Sequence, residues 1–476
     1  MGWNEEKPDH NRYIRGSKMT KYSDILKFAI SCYKDAEKIE YPNDFTISTW
    51  WNSNRRNISR DIINFKTCDE AILYAQNSSK VGFDHRRANI RGVIDFKMRE
   101  LERLFPWFNF KKAFENGLEE SIYSDKETRE IIDGFKFSNI FITHVNIYLR
   151  SIYTFDYEFG PKRIIEIGSG YGGLARIFKI MDRSIHYVMI DLPESLFFAQ
   201  VFIATNFPDA KTIYIKDNNR VNLDEYDFVF VPVQFCHTIA QENFDLVINT
   251  GSLQEMTGKA VKFWMNFIQE VINVKMFYSW NYFLVNKQIY CETSYDDSNL
   301  ICPVLDSFWR VKYFRINPDI TTVDASGRNW LEVCVERIPA EERDLKKVKE
   351  YAENLFRSAK LHPNGSNDWF QYMWMAIWYS PKKEFLLEMI DGISKFQVGL
   401  GAKNNLVARN EYDVVDLQRI VKILLNQNLF NVGNFRQNLK LIIKKFASIF
   451  GKRQNNINSF DYSELQYYKN LLVDLN

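Results

Sequence analysis

Cysteine is scarce in this chain: six residues in 476, at positions 32, 68, 236, 291, 302 and 334. No two stand at CxxC spacing, so a structural zinc site is not expected and no metal is assigned. So few thiols in a chain this long read as buried cysteines in a reducing compartment, not as a disulfide framework. Charge of one sign is also lacking. Lys and Arg number 62 against 60 Asp and Glu, a net charge of +2, which leaves no basic field for a nucleic-acid partner. No apolar run approaches the roughly 18 residues a membrane span needs. The opening decapeptide, MGWNEEKPDH, has no apolar signal core, and it places Glu6 where N-myristoylation wants Ser or Thr. The expectation is a soluble, cytoplasmic protein.

What is present is ordinary globular material, rich in rings: 46% hydrophobic, 26% charged, 16% aromatic. That aromatic content argues against disorder. The length suggests about three domains, and the pattern agrees with three regions. Residues 1–155 carry few strand signals and read as helical; Phe137, Ile140, Phe141, His144, Val145, Tyr148 and Ile152 recur at helical spacing. A boundary falls at Gly160-Pro161. Residues 156–340 then alternate strands with helices: RIIEI at 163–167, HYVMI at 186–190, a short edge strand at 212–216, FVFVPV at 228–233, DLVIN at 245–249 and KMFYSW at 275–280, with helices at 174–181, 194–207 and 261–271. Such alternation means an α/β, doubly wound parallel sheet. Two strands at 308–316 and 330–337 follow without a clear helix between them and are expected to pair antiparallel. Residues 341–476 read as a helical C-terminal domain, with Phe370, Met373, Trp374, Ile377 and Trp378 on one face.

The most informative string is IIEIGSGYGGLARIF, holding Glu166, Gly168, Gly170, Gly172 and Gly173. Glycines are needed where a strand turns sharply into a helix while a ligand approaches the backbone. Gly168-x-Gly170-x-x-Gly173 satisfies the dinucleotide fingerprint, with Asp191 as the ribose-binding acid. S-adenosylmethionine is the competing cofactor and is favoured on three features. Glu166 places an acid inside the first strand, which a sulfonium and ammonium ligand can use. Gly172 completes an E-x-G-x-G-x-G reading. The sheet closes with an antiparallel strand. Asp191 alternatively reads as an acid at a helix N-terminus, favoured by the dipole.

The string FDLVINTGSLQEM, residues 244–256, sets Asn249, Thr250, Ser252, Gln254 and Glu255 at a strand's carboxyl end, where open sheets bind ligands. Asn249 is assigned to the cofactor and Glu255 to general-base duty, against a plain helix-start carboxylate. His237 is a second candidate base, against an ordinary loop histidine; His144 and His186 read as structural. Tyr282 is a candidate contact to a sugar ring, or packing. No compact run of carboxylates marks a magnesium site; Asp296 and Asp297, after the fifth strand of the alternating region, are candidates.

Together IIEIGSGYGGLARIF, HYVMIDLPESL, FVFVPVQ, FDLVINTGSLQEM and FYSWNYF resemble the bacterial sugar O-methyltransferases. The resemblance covers residues 80–335 and is firmest over 160–285. It implies a class I methyltransferase Rossmann-like fold, S-adenosyl-L-methionine as cofactor, and a glycan or activated-sugar acceptor in cell-surface polysaccharide synthesis. The family's motif positions fall on Glu166, Gly168, Gly170, Asp191, Asn249, Gln254 and Glu255. The core motifs leave lipid, amine and protein acceptors open, and also a non-catalytic binding protein that acts through 341–476. Residues 433–453 carry Arg436, Lys440, Lys444, Lys445, Lys452 and Arg453 with no acid, and an apolar face of Phe435, Leu439, Ile442, Phe446, Ile449 and Phe450. That pattern suits peripheral contact with an anionic membrane or a docked helix with solvated lysines.

Overall fold

A computed structural model of the chain describes residues 22–388, apart from 79–92, 125–128, 133, 154, 156–159, 283–304, 306–307, 317–329, 365–366, 381, 383 and 386–387. The basic segment 433–453, the pair Asp296 and Asp297, and the side chains of Gln254, Tyr282, Phe370 and Trp378 lie outside the described residues. The chain divides into two compact units, 1–343 and 344–476.

The first unit is built on one eight-stranded sheet. Its strands are β3 (Arg163–Ile167), β4 (His186–Asp191), β5 (Thr212–Tyr214), β6 (Phe228–Pro232), β7 (Asn243–Thr250), β8 (Asn273–Tyr282), β9 (Trp309–Ile316) and β10 (Trp330–Arg337). The order across the sheet is β5-β6-β4-β3-β7-β8-β10-β9. Strands β5 to β8 pair parallel through β3, and β10 runs antiparallel to both β8 and β9. Setting aside the extra edge strand β5, this is the class I methyltransferase arrangement. The last strand in the chain is not the last in the sheet: β10 inserts between β8 and β9, so β9 forms the edge. The topology reverses between β3 and β7, and a ligand crevice is expected outside the carboxyl ends of those strands.

Helix α7 (Gly173–Met181) follows β3, α8 (Pro193–Asn206) follows β4, and α9 (Gly258–Asn266) follows β7, extended by a π-helical turn at Phe267–Val271. Helix α8 is mainly apolar with no polar face, and every residue from Pro193 to Thr205 is buried. A helix like that must be covered on all sides. The sheet covers one side. The rest is covered by α1 (Tyr22–Ala36), α2 (Thr49–Ile62) and α3 (Cys68–Gln76), which pack on it and share its hydrophobic core. Phe65 and Tyr74 stack on Phe197 and Phe198, with centroids 5.5–6.1 Å apart.

Helices α4 (Val93–Leu104) and α5 (Phe110–Glu115) lead to a short hairpin, β1 (Glu130–Ile132) with β2 (Phe135–Phe137), and then α6 (Asn139–Ile152). Helical spacing places Phe137 on a helix, but it ends β2; the Asp-Gly pair at 133–134 is the hairpin signal, and Gly134 sits at φ +87°. Ser138 caps α6, its hydroxyl accepting from the Phe141 amide. Residues Ile140 to Ser151 are all buried, so α6 is a core helix and not an amphipathic one.

Its last turn carries a buried ion pair. Arg150 donates to Glu332 on β10 at 2.9 Å and to Asn146 at 2.8 Å, Tyr278 on β8 donates to the same carboxylate at 3.1 Å, and the Tyr313 hydroxyl on β9 donates to the Arg150 carbonyl at 2.5 Å. This network fixes α6 against the antiparallel end of the sheet.

In the second unit, α10 (Leu345–Ala359) is capped by Asp344, buries Val348, Ala352, Leu355 and Phe356, and packs on α11 (Asn367–Tyr379), with Tyr351 against Tyr379. Met373, Trp374 and Ile377 form the buried face of α11. No helix among the described residues is long and apolar enough to cross a membrane.

Removing one partner of a buried pair strands the other charge. Arg150→Ala is therefore expected to cost about 3–5 kcal/mol in urea unfolding. A loss under about 1 kcal/mol would show Glu332 is open to water.

Candidate active site

The turn leaving β3 runs through Gly168, Gly170 and Gly172 at φ +77°, +54° and +83°. Two of these positions admit nothing larger. At Gly168 a Cβ would lie 2.2 Å from Ser252 Oγ, and Gly172 takes the left-handed conformation as the N-cap of α7. Gly168 N–H donates to the Ile190 carbonyl at 2.8 Å, which ties the turn to β4. Gly170 N–H donates to Asp191 Oδ2 at 2.8 Å, while Leu192 N–H donates to Oδ1 at 2.7 Å. Asp191 thus bridges the glycine turn and the start of α8. Between these groups, the buried Ser169 hydroxyl has no partner among the described residues.

Glu166 is buried inside β3, and its carboxyl accepts from the Tyr187 hydroxyl at 2.9 Å. Burial pushes its pKa up to about 8 against that hydrogen bond, and the negative charge of Asp191 adds to the rise. Burial likewise pushes Asp191 up to about 7, although the Gly170 and Leu192 amides and the Ser195 hydroxyl favour its charged form; Glu194 raises it further. Glu255 lies in the 3₁₀ turn Leu253–Glu255 after β7. Half-buried there, it too is pushed up to about 8 by desolvation, with Trp51 as the hydrogen-bonding group opposing the rise and Asp191 again adding to it. So Glu166 and Glu255 come together around Asp191, and the neighbouring charge acting on each is another acid.

Asn249 is buried at the end of β7. Its amide donates to the Ile167 carbonyl at 2.8 Å and to Ser252 Oγ at 2.7 Å, and its oxygen accepts from Asn281 on β8 at 2.9 Å. The described contacts of this side chain hold β3, β7 and β8 in register at the crevice. His237 is exposed in the segment after β6, against Asn218 Oδ1 at 3.0 Å. That contact does not join it to the Gly168–Asp191–Glu255 group. His144 packs against Gly173 and Tyr171, and His186 pairs with the Tyr226 carbonyl at 2.8 Å.

Other residues at the site were not singled out by sequence. Glu194, fully buried in the first turn of α8, accepts from Arg55 on α2 at 2.6 Å; its second oxygen has no partner among the described residues. Arg55 also stands 5.4 Å from the Tyr41 ring. On α2, Trp51, Arg55, Ile58 and Ile62 recur at i, i+4, i+7 and i+11, a pattern that could have marked this helix as facing inward.

A class I cofactor would be held by the Gly170 amide region, the Ser169 hydroxyl, Glu166 and Asp191. The donor set fits a cationic ligand, because among the described residues it offers an orphan hydroxyl and acids with no opposing charge. No family model and no curated protein matches the chain. Solved structures do match, distantly. Mitomycin 7-O-methyltransferase MmcR is 10% identical over 42% of this chain and 55% of its own, with a TM-score of 0.27. The pyocyanin biosynthetic protein PhzM is 13% identical over 40% and 55%, also at 0.27. TehB from Haemophilus influenzae is 11% identical over 41% and 62%, again at 0.27. The matched region spans little more than half of the first two. Likeness at this level says nothing of chemistry, and the fold assignment rests on the strand order.

A raised acid pKa carries a sign for stability. Glu166, Asp191 and Glu255 ionise in the unfolded chain near pH 4, yet resist ionisation in the fold until about pH 7–8. Their contribution to stability is complete below the unfolded values and is lost as pH rises through the folded ones. The ligand-free protein is therefore expected to lose Tm between pH 5 and about pH 8, and Glu166→Gln to flatten the decline. Calorimetric scans at constant ionic strength check this; a Tm that climbs across the window would contradict it.

Proposed function

We propose that this chain is an S-adenosyl-L-methionine-dependent O-methyltransferase acting on a hydroxyl of a sugar in cell-surface polysaccharide synthesis. The observation that carries the methyltransferase reading is the group of acids formed by buried Glu166 and half-buried Asp191 and Glu255, which meet no cation among the described residues, around a glycine turn at the carboxyl ends of β3, β4 and β7. A dinucleotide brings a negatively charged pyrophosphate to such a turn, whereas this turn is lined by acids. The sugar acceptor is supported by the motif strings of residues 160–285.

The cofactor, when bound, supplies an electrophilic methyl group on a sulfonium cation. The chain's part is to seat, align and deprotonate. Asp191, at the end of β4, is placed to accept from ribose hydroxyls on lone pairs beyond those used by Gly170 and Leu192. Glu166 faces the ammonium end with Ser169 beside it. Glu255 takes the proton from the acceptor oxygen. A carboxyl pushed up to about 8 is largely protonated at neutral pH in the ligand-free protein. A cation seated beside it favours ionisation, so the base is switched on by the bound cofactor. A basic residue poised near the working pH is worth about 10²–10⁴-fold in rate.

Asp191→Ala is expected to weaken S-adenosylmethionine binding by about one to two orders of magnitude, read by titration calorimetry; tighter binding of NAD than of S-adenosylmethionine by the native chain would refute the assignment. Glu255→Gln is expected to retain cofactor affinity and lower kcat by about 10²–10⁴-fold in transfer of tritiated methyl to a panel of nucleotide sugars and oligosaccharides. An unchanged kcat there, with loss in His237→Ala, would move the base to His237. Transfer only to lipid, amine or protein acceptors would overturn the sugar assignment alone.

A further inference from the structure

Strand β8 runs on past its parallel neighbour. The pairing of β7 with β8 ends at Thr250 opposite Trp280. Gly251 then turns the chain away at φ +65°, its N–H donating to the Trp280 carbonyl at 2.9 Å. Asn281 is the next residue on β8 and is fully buried. Its Oδ1 accepts from the Leu253 N–H at 3.1 Å. Its Nδ2 stands 2.9 Å from Asn249 Oδ1, 2.9 Å from Ser279 Oγ and 3.2 Å from the Asn249 carbonyl oxygen. These neighbours fix which way the amide points, because a flipped amide would set oxygen against oxygen.

The turn Leu253–Glu255 has no side-chain cap of its own at Ser252. The leading N–H groups of a helical turn lack partners within it. Leu253 is wholly buried, and a buried N–H is costly to leave unpaired; Asn281 supplies the acceptor from a different strand. Ser252 is held from the other side. Its Oγ accepts from Asn249 Nδ2 at 2.7 Å and lies against the glycine turn at Gly168. Glu255 N–H in turn donates to the Ser252 carbonyl at 3.0 Å. Asparagine side chains therefore clamp both residues that open the turn, and Glu255 is bonded to the first of them.

We propose that Asn281 is a positioning residue for Glu255, acting through the hydrogen bond from Leu253 that anchors the Leu253–Glu255 turn. This rests on the methyltransferase reading above. The described polar contacts of Asn281 are all with protein groups, so its effect on the reaction runs through the turn. A general base must stay within hydrogen-bond reach of the acceptor proton, and a turn that slips takes the carboxyl out of line. Asn249 has a wider task. It also donates to the carbonyl of Ile167, the residue just before the glycine turn, at 2.8 Å, so it serves the cofactor end and the base end together.

The test uses the full chain. Asn281→Leu keeps a side chain of similar size and removes both the acceptor and the donor. Amide hydrogen exchange of residues 251–256 in the ligand-free protein is expected to quicken about tenfold. Methyl-transfer kcat should fall about 10²-fold, with the Kd for S-adenosylmethionine within about twofold. Asn249→Leu, which also frees the Ile167 carbonyl, is expected to lower kcat and weaken cofactor binding together. In a Glu255→Gln background, Asn281→Leu should cost almost nothing further, because both changes remove the same aligned base. Ile58→Ala, in the core of α2, should lower Tm and leave both kcat and the exchange of 251–256 in place well below that Tm. Asn281→Ser, a smaller side chain with a shorter reach, shows the same pattern and serves if the leucine variant does not fold. Unchanged exchange in the Asn281 variants, a kcat loss that adds in full to that of Glu255→Gln, or an equal kcat loss in Ile58→Ala overturns the proposal. Faster exchange in a protein that transfers no methyl group keeps the hold of Asn281 on the turn and rejects the enzymatic reading instead.

Discussion

The Asp191 carboxylate is the hinge of this structure. One oxygen accepts from the amide of the glycine turn and the other from the amide that starts α8, so a single side chain at the end of β4 sets the geometry of two strand-to-helix connections. Around it the fold places Glu166, Glu194 and Glu255. Glu194 is answered by Arg55. The other two have hydrogen-bond donors but no cation acting on them among the described residues, and both resist ionisation. Burying acids this way works against stability wherever they ionise. A positively charged ligand turns that cost into binding free energy, because it favours the ionised form of each acid at once.

The N-terminal helices follow from the same arrangement. Helix α8 begins at the site and is buried on every side, so the sheet alone cannot cover it. Of the three helices that complete its packing, α2 also brings Arg55 to Glu194. At the opposite side of β3, the Arg150–Glu332 pair and its tyrosines lock α6 to the antiparallel strands, and Asn249 and Asn281 tie β7 to β8. The crevice is thus framed by satisfied polar networks while its centre is left electrostatically unsatisfied. Polar groups are commonly left unbalanced where a site awaits a ligand.

Much of the sheet was legible because buried strands such as RIIEI, FVFVP and DLVIN stand out as short apolar runs, and because glycines punctuate the turn after β3. The group around the glycine turn was legible for the same reason: Glu166, Gly168, Gly170 and Asp191 are local in sequence and adjacent in space. The hairpin before α6 was missed, since three-residue strands leave almost no periodicity and only the Asp-Gly pair marks them. The insertion of β10 between β8 and β9 is a long-range pairing that no local pattern encodes. The contribution of Arg55 was out of reach for a related reason: it lies 139 residues before Glu194, the acid it meets, in a helix whose polar composition hides a four-residue inward stripe.

The account turns on positive charge being recognised by acids that are protonated in its absence. Titration calorimetry in two buffers of different ionisation enthalpy measures the protons released on binding. S-adenosylmethionine and S-adenosylhomocysteine share the adenosyl and amino-acid groups and differ by the sulfonium charge, so comparing them isolates that charge. At pH 7 the account predicts proton release with S-adenosylmethionine that is clearly larger than with S-adenosylhomocysteine, falling away above about pH 9 as Glu166 and Glu255 become ionised beforehand. Equal release by the two ligands, or proton uptake with the sulfonium, would contradict it.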